Sequence, residues 1–299
     1  MEIKDRSQLL TEQRNPRTIN IDCKTTLEII DIINAEDARV FPAVHKERES
    51  IAKAVDLIVD AFKEGGRLIY VGAGTSGRLG ILDAAECPPT FGTDPHMIVG
   101  IIAGGEKAMF QSVEGAEDFP EDGARDIQQK EVNHRDVVVG ITTGGTTPYV
   151  MGALFEAKRR NARTVFLCCN LETTPSFAVD VIIRPIVGPE VITGSTRMKA
   201  GTATKLILNM LTTTAMIKIG KVYENLMVDL RAVNAKLADR AERIIMAVTG
   251  ISREDARKLL ASAFGNAKVA IVMQKLGLDY AEAKKRLDAH DGFVRRILS

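Results

Sequence analysis

The sequence predicts an α/β fold: a doubly wound, mainly parallel five-stranded sheet set between a helical N-terminal region and a helical C-terminal region. Two observations carry that reading. Five short runs, at 67–71, 96–102, 136–141, 163–168 and 180–186, are rich in Val and Ile and bounded by Gly, Asn, Asp or Pro, as strands are. Their apolar residues are near-continuous rather than alternating, which suits strands covered on both faces of a parallel sheet. Between them, 79–86, 106–114 and 148–160 read as helices. The last is opened by Pro148, whose missing N–H costs nothing in a first turn. Strands alternating with helices in this order give the doubly wound class.

The flanks carry the helical period instead. Leu27, Ile30 and Ile33, then Ile51, Ala54, Ile58 and Ala61, recur at three- and four-residue spacing and predict helices over 25–35 and 43–63. After Lys199 the pattern gives a long helix to about Ile219, another over about 226–248, and three short ones. Ser252 with Asp255 three residues on resembles a capping box, and Gly265, Gly277 and Gly292 punctuate the tail. The division expected is 1–56 helical, 57–220 the sheet domain, and 221–299 helical, with a small three-helix module from about 250 to 299.

Composition excludes several functions. Of 299 residues, 45% are hydrophobic and 26% charged, and 40 basic against 39 acidic residues leave a net charge of +1. No overall field would steer the chain to nucleic acid or anionic lipid, so neither is an expected partner. The charged start, Met1 to Arg6, lacks the apolar run of a signal peptide, and no stretch of 18 apolar residues occurs. A soluble, cytoplasmic protein is expected. Cys23, Cys87, Cys168 and Cys169 form no C-x-x-C pair and read as reduced, and four His without ligand spacing predict no metal cofactor.

The sharpest motif is Gly72-Ala73-Gly74-Thr75-Ser76-Gly77-Arg78, directly after the first strand and before a helix. Gly74, the hydroxyls of Thr75 and Ser76, and the positive helix end would surround one anion. Gly72, Gly74 and Gly77 also satisfy the dinucleotide fingerprint, but the second strand ends Ile102-Ala103-Gly104-Gly105, without the acidic residue that a ribose needs. A phosphosugar or similar ester is favoured over a dinucleotide or a purely structural turn. A second hydroxyl-rich loop, Thr142-Thr143-Gly144-Gly145-Thr146-Thr147-Pro148, follows the third strand. In a doubly wound sheet the two loops can grip one phosphate, although Thr146 or Thr147 could simply cap the next helix.

These loops, with the stretch Gly188 to Lys199, resemble the sugar isomerase (SIS) fold, whose members bind phosphosugars in that crevice. Within it, Gly72 to Gly92, Ala103 to Glu106, Val113 to Asp118 and Arg197 to Ala203 are similar to the N-acetylmuramic acid 6-phosphate etherases. The similarity extends to Thr11-Glu12-Gln13-Arg14-Asn15, Asn34 to Asp37 and Asp291 to Arg295, which is nearly the whole chain. The resemblance implies a homodimer and a tail like a ubiquitin-associated three-helix module. It also implies a reaction that needs two carboxyl groups and no cofactor: removal of D-lactate from C3 of the sugar, through loss of the C2 proton and addition of water.

By this resemblance Glu86 is the proton donor and Glu117 the base. Sequence alone adds that Glu86 precedes Pro88-Pro89, which should stop its helix, and that Glu117 lies among Glu114, Asp118, Glu121 and Asp122. The plainer readings are a surface carboxylate and a solvated acidic run. Glu190 is a possible positioning group. Ser195, Arg197 and Lys199 could contact the phosphate or the substrate carboxylate, or be capping and solvated groups. Asn234 and Lys236 match the family pattern without an assignable role. One departure stands out: where the family carries Ser-Gly-Arg-Thr in the second loop, this chain has Gly144-Gly145-Thr146-Thr147, losing a hydroxyl and a guanidinium and gaining a hydroxyl. Two rival functions share the fold, a non-catalytic phosphosugar sensor like the glucokinase regulatory protein and an aldose-ketose isomerase. Retention of Glu86 and Glu117 argues against the first, and Glu86-Cys87-Pro88-Pro89 against the second.

Overall fold

The computed structural model describes residues 7–171, 173–230 and 234–298. The charged start of the chain and residues 231–233 of the expected 226–248 helix lie outside the described residues. Two compact units form, one of Met1–Ala85 with His96–Thr212, the other of Glu86–Pro95 with Thr213–Ser299.

The first unit is built on five parallel strands, β1 (Leu68–Gly72), β2 (Ile98–Ile102), β3 (Val137–Ile141), β4 (Arg163–Leu167) and β5 (Val181–Ile183), in the order β2-β1-β3-β4-β5. Leu68 stands opposite both Ile98 and Val137. Every residue of β1 and β3 is buried, as near-continuous apolar strands require. Glycine sets the spacing of one layer, since a Cβ on Gly140 would come 2.6 Å from Leu154 Cδ1.

The helices α1 (Thr26–Asp37), α2 (Val40–Lys46) and α3 (Arg48–Lys63) precede the sheet, and α3 buries Ile51, Ala54, Ile58 and Ala61 as the spacing predicts. Thr25 and Glu28 form a capping box at the start of α1, yet Leu27 and Ile30 remain exposed. The helix α4 (Gly74–Phe91) begins five residues before the expected start, at the glycine loop itself. It also runs through Pro88 and Pro89, which do not stop it. Proline's fixed φ is helical, and in a last turn the pair forfeits only two donors; the chain leaves the helix at Gly92, where φ is +60°.

The expected 106–114 helix shrinks to α5 (Lys107–Phe110), followed by a loop and a helix absent from the sequence reading, α6 (Pro120–Gln129). Glu121 and Asp122, read as part of an acidic run, occupy its first turn, where the helix dipole favours them. α7 (Pro148–Arg159) packs on α6, and α8 (Lys199–Lys218) follows β5.

The second unit holds α9 (Ala235–Thr249), α10 (Arg253–Ser262), α11 (Ala267–Leu276), α12 (Tyr280–Ala289) and α13 (Val294–Leu298). α9 starts late because Asn234 caps it by accepting the Leu237 N–H, while Tyr223 and Leu226 pair in an antiparallel bridge. Ser252 caps α10, and Gly277 closes α11 in the left-handed conformation. Ile245, Ala256, Ile271 and Leu287 lie in its core. Among the described residues no helix is long and apolar enough to cross a membrane, and no group of His, Cys, Asp or Glu could hold a metal ion.

Candidate active site

β1 lies between β2 and β3, so the chain turns one way after β1 and the other way after β3. Loops leaving the carboxyl ends of those two strands diverge and leave a crevice. At the first loop Gly72 is sterically required: a Cβ there would lie 2.6 Å from the Gly77 nitrogen. Gly74 takes φ +52°, and Thr75 and Ser76 fall inside the first turn of α4. Ser76 is buried and Thr75 half-buried, beside first-turn N–H groups that have no partner within the helix. A helix start of this kind can accept an anion.

In the second loop the Thr142 and Thr147 hydroxyls lie 2.8 Å apart and hydrogen-bond to each other. Thr147 is the N-cap of α7 but makes no side-chain capping bond, so its hydroxyl braces the loop instead of the helix. The Thr143 carbonyl accepts the Cys169 N–H at 2.9 Å, and Thr143 and Thr146 are half-buried. Gly144 has open room: a Cβ would meet only the Thr11 and Thr146 hydroxyls, both at 3.9 Å.

A cavity of about 260 Å³ joins Gly74 and Arg78 of α4 to the stretch 112–118. Glu114, Glu117 and Asp118 line it, the two glutamates exposed and Asp118 half-buried. Backbone geometry ties Glu117 to the second loop, because its carbonyl accepts the Tyr149 N–H at 3.0 Å at the start of α7. Arg78 is the functional candidate that spacing left without a role. Its guanidinium donates to the carbonyls of Met109 (3.1 Å) and Gln111 (3.4 Å), bracing the chain that leads to Glu117. The available signal was its position four residues beyond Gly74, on the same helix face. Glu86 lies further along α4 and is exposed, in the stretch Glu86–Pro95 that belongs to the second unit.

The remaining candidates sit around the start of α8. Glu190 is fully buried, and its carboxylate accepts the backbone N–H groups of Lys199 (3.0 Å) and Ala200 (2.9 Å), two of the donors a helix start leaves unpaired. Burial pushes its carboxyl above the usual range, against those two bonds. Lys199 is not a solvated charge: it is fully buried, and its Nζ donates to Glu36 Oε2 at 2.6 Å. Arg197 is exposed and Ser195 half-buried. Lys236 is exposed, and Asn234 is the α9 cap described above.

Glu36 also accepts from Arg17, through both Nε and a terminal nitrogen, and from Asn15 Nδ2 at 2.8 Å. The Arg17 bonds, then Lys199 and Asn15, hold its carboxyl down at about 2. A carboxyl depressed in the fold stabilises it above the unfolded value near 4.5, and that stability is lost as pH falls toward 2. The loss is on the order of 3 kcal/mol, from a shift of about two and a half units. Urea unfolding from pH 6 to 3 is expected to reveal it, and Glu36→Gln to flatten that part of the profile; an equally steep acid limb in Glu36→Gln would place the sensitivity elsewhere.

The family model of the glucokinase regulatory protein N-terminal SIS domain matches residues 50–158. A phosphoheptose isomerase from Neisseria gonorrhoeae shares the fold at a TM-score of 0.51, with 18% identity, over 64% of this chain and 98% of that one. The N-acetylmuramic acid 6-phosphate etherase of Photorhabdus laumondii is 53% identical over 98% of this chain and 97% of its own length. A second protein of that name from Vibrio cholerae is 52% identical, over 98% of this chain and 95% of its own length. At that identity, end to end, the chain belongs to the N-acetylmuramic acid 6-phosphate etherase family.

Proposed function

We propose that this protein is a carbon-oxygen lyase that cleaves the D-lactyl ether of N-acetylmuramic acid 6-phosphate, with water, to N-acetylglucosamine 6-phosphate and D-lactate. The observation that carries the reading is full-length identity above 50% to proteins of that name, in a chain whose glycine loop and Glu117 share one cavity. It would serve the recycling of cell-wall amino sugars in the cytoplasm, with no cofactor.

The substrate phosphate sits at the start of α4, held by Gly74, Thr75 and Ser76 and, across the crevice, by Thr142, Thr143, Thr146 and Thr147. Ser195 and Arg197, in the stretch before α8, add contacts to the substrate's anionic groups. Glu190 and Lys199 act as positioning groups for the start of α8. With the sugar ring open, the C1 aldehyde acidifies C2. Glu117 removes that proton, the C2 electron pair forms a C2–C3 double bond, and the C3–oxygen bond breaks. Glu86 protonates the departing lactyl oxygen. Water then adds at C3, giving a proton to Glu86, while Glu117 returns its proton to C2.

A homodimer follows from the same reading. Glu86 is exposed and does not line the cavity that holds Glu117. The donor acting at one copy's cavity is therefore Glu86 of a second copy. Leu82, one turn before Glu86 on α4, is 50% exposed, and Leu27 and Ile30 are exposed on α1, apolar surface that a second copy would cover.

The direct test is incubation with N-acetylmuramic acid 6-phosphate and an assay for D-lactate; absence of D-lactate contradicts the proposal. Ser76→Ala is expected to raise KM for the phosphosugar with little change in kcat, losing about 1 to 2 kcal/mol for a hydrogen bond to a charged group. An unchanged KM would put the phosphate elsewhere.

A further inference from the structure

A second cavity of the first unit, about 430 Å³, lies between α2 and the chain that leaves β5. It shares no lining residue with the catalytic cavity. Pro42 and Ala43 of α2 and the stretch 186–189 form its walls, and its charged groups are Arg17, Arg39 and Lys46. Among the described residues no acidic side chain lines it.

The charges there are not balanced. Arg17 does pair with a carboxylate, Glu36, but that single charge is also the partner of buried Lys199. The side chains of Arg39 and Lys46 make no hydrogen bond or ion pair among the described residues. They stand seven residues apart at the two ends of α2, a spacing that returns to the same helix face. Two uncompensated cations and a third only partly compensated thus border one recess with apolar walls. Such a recess draws a compact anion of more than one negative charge, and its walls offer an apolar seat to the body that carries it.

We infer that this pocket is a second anion site, for a small phosphomonoester. Its wall connects to the catalytic half of the protein. The stretch 186–189 runs directly into Glu190, which holds the first two N–H groups of α8, and the Pro189 carbonyl accepts Asn15 Nδ2 at 3.2 Å. Arg17 contributes to the pocket and to Glu36 at once. An occupant would therefore steady the segment that positions Glu190.

Hydrogen-exchange mass spectrometry of the full-length protein, titrated with inorganic phosphate at low ionic strength, tests this. The expected result is saturable protection of 39–46 and 186–189, separate from any at 74–78 and 142–148. In Arg39→Ala/Lys46→Ala the affinity at 39–46 should fall at least about tenfold, the scale of one charge-assisted hydrogen bond, while Ser76→Ala keeps it. The double variant should unfold at the parental temperature and retain its D-lactate release, since both side chains are exposed and outside the catalytic cavity. The inference is overturned if 39–46 gains no protection, if the double variant is protected as well as the parent, or if acetate protects equally at the same concentration.

Discussion

Glu117→Gln is expected to lose D-lactate release and proton exchange at C2 together, each by at least about 10²-fold, the usual contribution of a positioned general base. Glutamine keeps the shape and the backbone bond to Tyr149 but cannot accept the C2 proton. Glu86→Gln should lose D-lactate release to the same extent and yet keep washing solvent deuterium into C2, because exchange precedes departure of the lactyl group. Incubating both variants in D2O and following the C2 proton by NMR separates the two roles. Exchange in Glu117→Gln but not in Glu86→Gln would reverse the assignment, and parental lactate release in both would remove these residues from the site.

The second large effect is a recovery. If the donor comes from a second copy, a hybrid of one Glu86→Gln chain and one Glu117→Gln chain has one complete cavity and one that lacks both groups. Random pairing makes about half of the dimers hybrid, so co-expression should return about a quarter of parental activity from two inactive variants. Activity at the level of the separate variants would mean that Glu86 serves its own chain's cavity or that no dimer forms.

Much of this was legible in the sequence, for physical reasons that also explain what was not. The strands announce themselves because burial on both faces demands unbroken apolar runs such as Val137 to Ile141. The glycine loop is legible because Gly72 obeys a local steric rule, enforced by Gly77 five residues away. α6 escaped because its first turn is Pro120-Glu121-Asp122, and the dipole that rewards those acids leaves no apolar period to read there. Pro88 and Pro89 misled because a missing donor and a ring that clashes with the carbonyl four residues back usually end a helix, whereas here both are accommodated in the last turn of α4. Lys199 could be placed only as a substrate contact or a solvated charge, because its partner Glu36 lies 163 residues earlier and only tertiary packing brings them together. Arg78 was in view within the loop, but its bracing of the chain before Glu117 depends on where α5 ends.

The fate of solvent oxygen, when N-acetylmuramic acid 6-phosphate is incubated with the protein in ¹⁸O-labelled water, reports which bond is cleaved. Elimination breaks the bond between C3 and the lactyl oxygen, and water then adds at C3. The expected result is one labelled oxygen at C3 of N-acetylglucosamine 6-phosphate, unlabelled D-lactate, and the two products in equal amounts. Label in the lactate hydroxyl, or no D-lactate at all, would contradict it.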